Sequence, residues 1–395
     1  MKNKESTIPK GWQKKKIKDL LIYERPDSYI VKNTSYSQNN KTPVLTANKS
    51  FVLGYTDEDF GICDNVPAII FDDFTTDTKY VDFPFKIKSS AIKILRCVDK
   101  EANLKYIYEL MKLIKFPVGN HKRYYISQYQ NLEIAVPPIE EQKKIAEILT
   151  CVDEDIEKTD EMIKKTQKLK KGLMQDLLTK GIGHTEFKKT DLGEIPEEWT
   201  LIELGKLCDV RDGTHDSPKY ISEGVPLITS KNLTNGKLDF SSAKLISRED
   251  YSNIEKRSSV DDGDIMFGMI GTIGNPVLIK KDREFAIKNV ALIKFYGKDK
   301  SQISNYFLIQ YLKSSLTNAQ FSQELSGSTQ KFISLNTIRK MFITVPDQRE
   351  QKKIAEILSA VDDKIDIYKQ IKRKLTELKK GLMQDLLSGE IRVKI

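Results

Sequence analysis

Along residues 139–178 the apolar positions fall at helical spacing. Ile145, Leu149, Val152, Ile156, Thr159, Ile163, Thr166, Leu173 and Leu177 form one seam, with Ile148, Met162 and Leu169 beside it. Lys and Glu occupy most of the remaining positions. The pattern returns at Ile354, Leu358, Val361, Ile365, Tyr368, Leu375, Leu382 and Leu386, flanked by Ile357, Ile371 and Leu378. A stripe this narrow predicts a long helix packed on a single partner helix. Pro137-Pro138 and Pro346-Asp347 mark the starts, because Pro is tolerated in a first turn, and Gly181 and Gly389 mark the stops. Roughly 40 residues at about 1.5 Å each gives a rod of about 60 Å. Neither rod buries its stripe alone, so the expected partner of each is the other.

The two helices are copies. Glu141 to Leu149 recurs unchanged as Glu350 to Leu358, and Leu169 to Leu178 recurs as Leu378 to Leu387, both at an offset of 209 residues. An internal repeat has to be read before any other feature. Gly172 and Gly381 sit inside the copied helix, where Gly costs about 1 kcal/mol relative to Ala. Retention in both copies predicts close backbone approach where the helices cross.

Upstream of each helix lies a unit opened by a similar motif, Ile8-Pro9-Lys10-Gly11-Trp12 in one and Ile195-Pro196-Glu197-Glu198-Trp199 in the other. Each Trp is expected to be a core anchor. Short apolar runs alternate with turns at 42–46, 67–74, 81–88 and 91–98, then a helix is expected over 104–114. The second unit repeats this at 225–229, 265–270, 276–279 and 286–295, with a helix over 303–314. Strands dominate and a helix follows, which is the α+β class. The expected division is 1–136 as the first variable domain, 137–181 as the first long helix and 182–194 as a polar linker. Then come 195–345 as the second variable domain, 346–389 as the second long helix and 390–395 as a tail. Similar flanks around dissimilar interiors point to one scaffold carrying two ligand specificities.

Composition narrows the classes. The chain of 395 residues is 39% hydrophobic and 31% charged, long enough for two or three domains. No apolar run approaches the 18 or so residues that span a bilayer, and Met1–Glu5 lacks an apolar signal core, so a cytoplasmic chain with no membrane partner is expected. The cysteines Cys63, Cys97, Cys151 and Cys208 are scattered and read as reduced thiols. A formal net charge of +9 hints at a polyanionic partner, although lysines on long helices explain much of it.

The sequence carries no recognisable catalytic motif. There is no Gly-x-x-x-x-Gly-Lys-Ser/Thr loop. Asn275-Pro276 starts like the Asn-Pro-Pro-Tyr/Phe motif of amino-methyltransferases, but Val277-Leu278 follow. Pro346-Asp347, Glu350 and Lys352 mimic a nuclease set, yet they lie at a helix start where acids favour the dipole, so they read as capping. His121, His184 and His215 are too few and too dispersed for a metal site.

The copied Pro…Glu-Gln-x-x-Ile-Ala-x-Ile-Leu helix, its Leu-x-x-Gly-Leu-x-x-Asp-Leu-Leu tail and the Ile-Pro-x-x-Trp openings together resemble the DNA-specificity subunit of type I restriction–modification systems. So does the connector from Gly181 to Phe187, and the resemblance covers nearly all of the chain. It implies two target-recognition domains, each reading one half of a bipartite, asymmetric site on double-stranded DNA. It implies that the two long helices pair antiparallel as a coiled-coil-like spacer, with pseudo-two-fold duplication, and set the length of unread DNA. The same helices would dock two methyltransferase subunits, joined by restriction/translocase subunits. It also implies no active site and no cofactor in this chain, with S-adenosylmethionine, ATP and Mg on the partner subunits. Alternatives are a specificity part of a related type IIB/IIG-like or orphan system, or a coiled-coil scaffold that binds no DNA. A methyltransferase acting alone is disfavoured by the missing motifs.

Base readout needs amide, guanidinium, ammonium or hydroxyl groups on loops, while phosphate contacts only position the protein. In the first domain the candidates are Asn48, Lys49, Thr76 and Lys79, together with Asn120, His121, Lys122, Arg123 and Tyr124. In the second they are Thr214, His215, Lys231, Asn232, Thr272, Ser328, Gln330 and Lys331. Gly119 and Gly327 precede the two closing strands, so those loops are expected to be equivalent. The same residue types also fill ordinary surface turns. The acidic pair Asp72-Asp73 resists a phosphate reading; it either accepts from cytosine amino groups or caps a turn.

Overall fold

The computed structural model describes residues 8–47, 50–98, 100–119, 122–295, 302–325 and 332–395. The chain folds into two compact units, one running to Glu161 and taking in Lys369–Ile395, the other Met162–Tyr368. Each unit holds a strand-rich domain and a part of both long helices, which span Ile139–Leu177 and Gln348–Ser388.

In the first unit Gln13–Lys16 pairs antiparallel with Glu133–Val136, closing the domain where the helix begins. One helical turn, Ile17–Leu20, buries Ile17 and Leu20. An antiparallel sheet follows in the order Leu21–Glu24, Ile92–Cys97, Ala68–Asp72, Thr78–Val81. A second sheet has the order Val52–Thr56, Thr42–Leu45, Lys86–Ile87, its last pair parallel. Strand Ala68–Asp72 is buried at every residue, which explains its unbroken apolar run. Ile69 and Phe71 face a core shared with Tyr106, Ile145, Leu149, Met383 and Leu386. Ala68 and Ile70 face another, with Leu45, Phe85 and Ile94. The long helices are thus part of the domain core.

The second unit repeats the closing pair and both sheets in the same order, although its interior sequence differs and it adds a short hairpin, Leu233–Thr234 with Lys237–Leu238. Thr200–Glu203 pairs with Phe342–Val345, and Leu204–Leu207 supplies the buried turn. The four-stranded sheet runs Asp209–Asp212, Val290–Lys294, Ile265–Gly268, Gly274–Leu278. Lys244–Ile246, Val225–Ile228 and Ala286–Ile287 form the other, again with one parallel pair. Helices Arg248–Ser258, Ser315–Leu325 and Leu335–Lys340 account for its extra length. The polar stretch before it is a hairpin, Phe187–Thr190 with Gly193–Pro196.

Within each unit the helix segments run antiparallel. In the first, Lys379 Nζ bonds Asp153 at 2.5 and 2.6 Å and Lys372 bonds Asp160 at 2.5 Å. In the second, Lys170 Nζ bonds Asp362 at 2.6 and 2.8 Å. Lys170 and Lys379 are the same repeat position, as are Asp153 and Asp362. The domain helix joins each bridge. Buried Glu109, on Leu104–Met111, lies 3.3 Å from Lys379, and Gln310, on Asn305–Leu312, donates to Asp362 at 3.2 Å.

The copied Glu-Gln pair has a definite duty. Buried Gln142 accepts from the Asn103 amide at 2.9 Å and donates to the carbonyls of Glu101 and Pro137. Gln351 makes the same three bonds, to Ser304, Gln302 and Pro346. Glu350 accepts from Trp199 Nε1 at 2.9 Å, from the Ile182 amide and from His184, so it is more than a cap; Asp347 alone caps, through the amides of Arg349 and Glu350. Its repeat mate Glu141 takes both arms of Arg392 at 2.6 Å. Both tryptophans are buried. Gly181 (φ +66°) and Gly389 (φ +75°) end the helices against them, and a Cβ there would lie 2.7 Å from Trp199 Cζ2 or 3.0 Å from Trp12 Cζ2. Only glycine fits both the turn and the approach.

Gly172 and Gly381 overturn one expectation. A Cβ on either would meet nothing within 4 Å, so neither serves a helix crossing inside its unit. They lie on the outer side of the pair, away from the seam.

The bridges differ in one respect that can be measured. Lys379→Met leaves buried Glu109 with Lys112 at 3.0 Å and half-buried Asp153 with Lys105 alone at 3.9 Å, and should lower unfolding stability by about 2–3 kcal/mol. Lys170→Met leaves neutral Gln310 and should cost only about 1–2 kcal/mol. Adding Glu109→Gln, which copies the second unit, should recover part of the Lys379→Met loss in urea titrations. Equal losses with no recovery would refute this reading of the bridges.

Candidate nucleic-acid interface

The described parts of the candidate loops gather at one end of the sheets in each domain. In the first, the turn 73–77 leaves the central strand Ala68–Asp72. Asp72 Oδ1 accepts from the amides of Phe74 at 2.9 Å and Thr75 at 3.0 Å, and Thr76 takes φ +61°, unusual for a β-branched residue. Asp73 Oδ1 accepts from the amides of Tyr124 at 3.0 Å and Tyr125 at 2.8 Å, and its carboxylate lies 3.5 Å from Lys93. The acidic pair is therefore a clamp: one carboxylate shapes the turn, the other ties it to the closing loop. The Arg123 guanidinium sits 5.8 Å from the Phe74 ring centre.

Among the candidates here, Lys122 and Arg123 are exposed, and Thr76 and Lys79 are half-buried. Tyr124 is buried, its hydroxyl accepting from the Gly119 amide, so it is a peg under the loop. Asn48, Lys49, Asn120 and His121 lie outside the described residues.

In the second domain Ser230 and Asn289 do the tying. Ser230 Oγ donates to the Asn289 carbonyl at 3.3 Å and accepts from the amides of Met269 at 3.2 Å and Ile270 at 3.5 Å. Asn289, with φ +53°, bonds the Thr214 carbonyl through its amide and His215 Nδ1 through its side chain at 2.8 Å. His215 Nε2 meets Asp212 at 2.7 Å, and Arg257 bonds the same carboxylate. A Cβ on Gly213 would lie 2.3 Å from the Ile287 carbonyl oxygen, so glycine lets this loop cross the neighbouring strand. Three candidate loops, around Thr214, Lys231 and Thr272, become one surface. Sequence reasoning missed Asn289; its place between two apolar runs, where a left-handed turn residue is favoured, was the available signal.

His215, Lys231 and Thr272 are exposed and Thr214 is half-buried. Asn232 is not available to bases. It accepts from the Thr229 amide at 2.9 Å and donates to the Asp239 carbonyl at 3.0 Å and Ser242 Oγ at 3.3 Å, a buried cap. Ser328, Gln330 and Lys331 lie outside the described residues, although the flanks support the loop equivalence. Tyr124 donates its amide to the Asp73 carbonyl as Ile333 does to Met269.

Charge is disposed differently at the two ends of the second sheet. At the far end Lys294 bonds Asp261 and Asp264 at 2.8 Å each. Its hydrogen bond holds the Asp261 carboxyl below the usual range, while burial pushes that of Asp264 up. The loop end carries Lys231, Lys288 and exposed Asp216 beside amides and hydroxyls, with Asp212 neutralised by Arg257 and bonded to His215. Among the described residues no group of three or more His, Cys, Asp or Glu could hold a metal ion, and no helix is long and apolar enough to cross a membrane.

The type I restriction modification DNA specificity domain matches residues 9–165 and again 196–377. The chain belongs to that family. It is 32% identical over 372 residues to the EcoR124I/EcoR124II specificity subunit of Escherichia coli, covering 87% of this chain and 85% of that one. It is 33% identical over 272 residues to the MjaVIII specificity subunit of Methanocaldococcus jannaschii, covering 67% of this chain but only 64% of the relative. The fold is that of the S subunit from M. genitalium, with TM-score 0.65 at 18% identity over 100% of this chain and 99% of that one. The repeated helix and the two domains are therefore family architecture.

Asn232→Ala should cost about 1–2 kcal/mol in thermal or urea unfolding, as loss of a cap does, and leave the recognised sequence unchanged. A methylated motif relaxed at one position would instead make Asn232 a reader.

Proposed function

We propose that this chain is the DNA-recognition subunit of a type I complex, with each domain reading one half of a bipartite, asymmetric duplex site in the cytoplasm. The observation that carries this is one sheet topology used twice, with loop ends that differ in sequence and are rich in Lys, Thr, Asn and His. Shared scaffold with distinct loops is what two unlike half-sites require. Exposed Lys122, Arg123 and Lys231 suit phosphate or guanine contact, and Thr76, Lys79, Thr214, His215 and Thr272 complete the face; Asn48, Lys49, Asn120, His121, Ser328, Gln330 and Lys331 belong to the same loops by sequence. The chain supplies no catalytic group in this reading. Adenine methylation with S-adenosylmethionine and ATP-dependent translocation belong to partner subunits.

The helices, in the same proposal, set the spacer and dock two methyltransferase subunits. Support comes from exposed repeat positions that no internal contact demands. Leu169 is 56% exposed and its mate Leu378 50%, and the open Gly172 and Gly381 lie one turn further along. A duplicated apolar face with a glycine beside it suits a partner present in two copies.

One experiment separates the two parts. Replacing residues 199–345 with the second domain of another family member should change one half of the methylated motif and keep the partner. Leu169→Glu with Leu378→Glu should release the methyltransferase in pull-down and leave the fold intact. A swap that alters both halves, or a double glutamate variant that still binds partner fully, would contradict the corresponding part.

A further inference from the structure

We infer that Phe74 in the first domain, and Ile270 with Phe332 in the second, are wedges that enter the duplex at a base step and unstack it. The inference rests on the reading that the loop ends face DNA, and adds how they distort it.

Strand register makes the positions equivalent. Asp72 pairs with Ile92 and Gly268 with Val290, so Phe74 and Ile270 each stand two residues past matched positions. The closing loops match as well, through Tyr124 on Asp73 and Ile333 on Met269. Arg123 and Phe332, the residues just before these, are then counterparts. Arg123 lies over the Phe74 ring, and Phe332 forms a β-bridge with Ile270.

At this one position both domains expose a large apolar side chain. Phe74 and Ile270 are each 39% accessible, and Phe332 is 49% accessible. The residue identities differ while the apolar character and the exposure stay. The domain cores give no reason for this, since neither side chain belongs to a core cluster. Each is also held firmly. The Phe74 and Thr75 amides both bond Asp72 Oδ1 and Asp73 ties the turn to Tyr124 and Tyr125, while the Ile270 amide reaches Ser230 Oγ. A wedge has to be rigid, because a mobile side chain would fold away instead of separating bases.

The surroundings select the partner. Lys122 and Arg123 lie in the loop beside Phe74 and Lys79 in the strand that follows its turn, and Lys231 and Lys288 lie in the loops around Ile270. The carboxylates of Asp72 and Asp73 are occupied by amides, which leaves Asp77 as the exposed acid of the Phe74 turn against three cationic side chains. An apolar tip within a cationic rim complements a duplex, whose stacked bases lie between two rows of phosphate. Inserted Phe, Ile and Leu side chains unstack a step at a cost of a few kcal/mol, which contacts made by the bent duplex offset. Pyrimidine–purine steps yield most easily, so each wedge should favour such a step without any hydrogen bond to it.

The test uses the full chain copurified with its methyltransferase partner and duplexes bearing its methylated motif. 2-Aminopurine is placed at one step at a time, away from the adenine that is methylated. Wild type should brighten one step in each half. Phe74→Ala should abolish the signal in one half only and weaken binding roughly tenfold, whereas Phe74→Met should keep both. Ile270→Ala with Phe332→Ala should silence the other half, and Ile22→Ala, an exposed apolar residue elsewhere, should change neither. A bound wild-type complex with no bright step overturns the wedge, as does a signal that survives Phe74→Ala. Loss of binding on replacing thymine by uracil, with stacking intact, overturns it in favour of simple methyl contact. Failure of the wild-type complex to bind the duplex at all would remove the DNA reading, and the wedge with it.

Discussion

A lysine facing an aspartate fixes how the helices of this chain meet. Because the helix is present twice and its copies run antiparallel, one Lys and one Asp in the repeat give two bridges, Lys379 to Asp153 and Lys170 to Asp362. This is the logic of a self-complementary interface, carried out within one polypeptide. The apolar seam alone would tolerate slippage by a heptad, as coiled coils do, and a polar pair at a defined position sets register. Half-buried bridges of this kind add little net stability, but breaking one strands its partner. Glu109 and Gln310 then attach each domain to the bridge, so the register of the helices and the placement of the domain helix are decided together.

The Glu-Gln motif extends that constraint to the loop ends. Gln142 and Gln351 hold the N-terminus of the domain helix and the carbonyl that precedes the long helix. Glu350 fastens Trp199 and the chain leaving the first long helix, and Glu141 fastens Arg392. With the base of each domain anchored this way, the opposite end is free to vary. There the ties are local and idiosyncratic, carboxylate to amide in Asp73 and hydroxyl to carbonyl in Ser230. A scaffold held by copied residues can carry loops held by unlike ones, which is the chemical form that two specificities on one frame would take.

Much of this was legible in sequence, for physical reasons that differ by element. The long helices declared themselves through period and repeat, and the buried strand Ala68–Asp72 through its unbroken apolar run. The shared topology was not legible, because strand order depends on long-range pairing that Val225–Ile228 and Thr42–Leu45 achieve with different residues. Helix Arg248–Ser258 buries only Tyr251 and Ser258, so it has no apolar period; its Ser247 cap with Asp250, and basic Lys256 and Arg257 at the end, were the usable signal. Gly172 was misread because a costly residue implies a contact but does not say with what. Asn232 and Tyr124 looked like readers because turns and binding loops draw on the same residue types; only their hydrogen bonds separate the two roles.

The central claim is that the antiparallel helix pair sets the distance between the two half-sites. Four residues inserted between Lys158 and Thr159, with four more between Arg373 and Lys374, would keep Asp153–Lys379 on one side and Lys170–Asp362 on the other. Each insert adds about 6 Å and turns the helix face by only about 40° from register. At about 3.4 Å per base pair, methylome sequencing should return the same two half-sites with a spacer longer by one or two base pairs. The original spacer, from a variant that still methylates, would contradict the account.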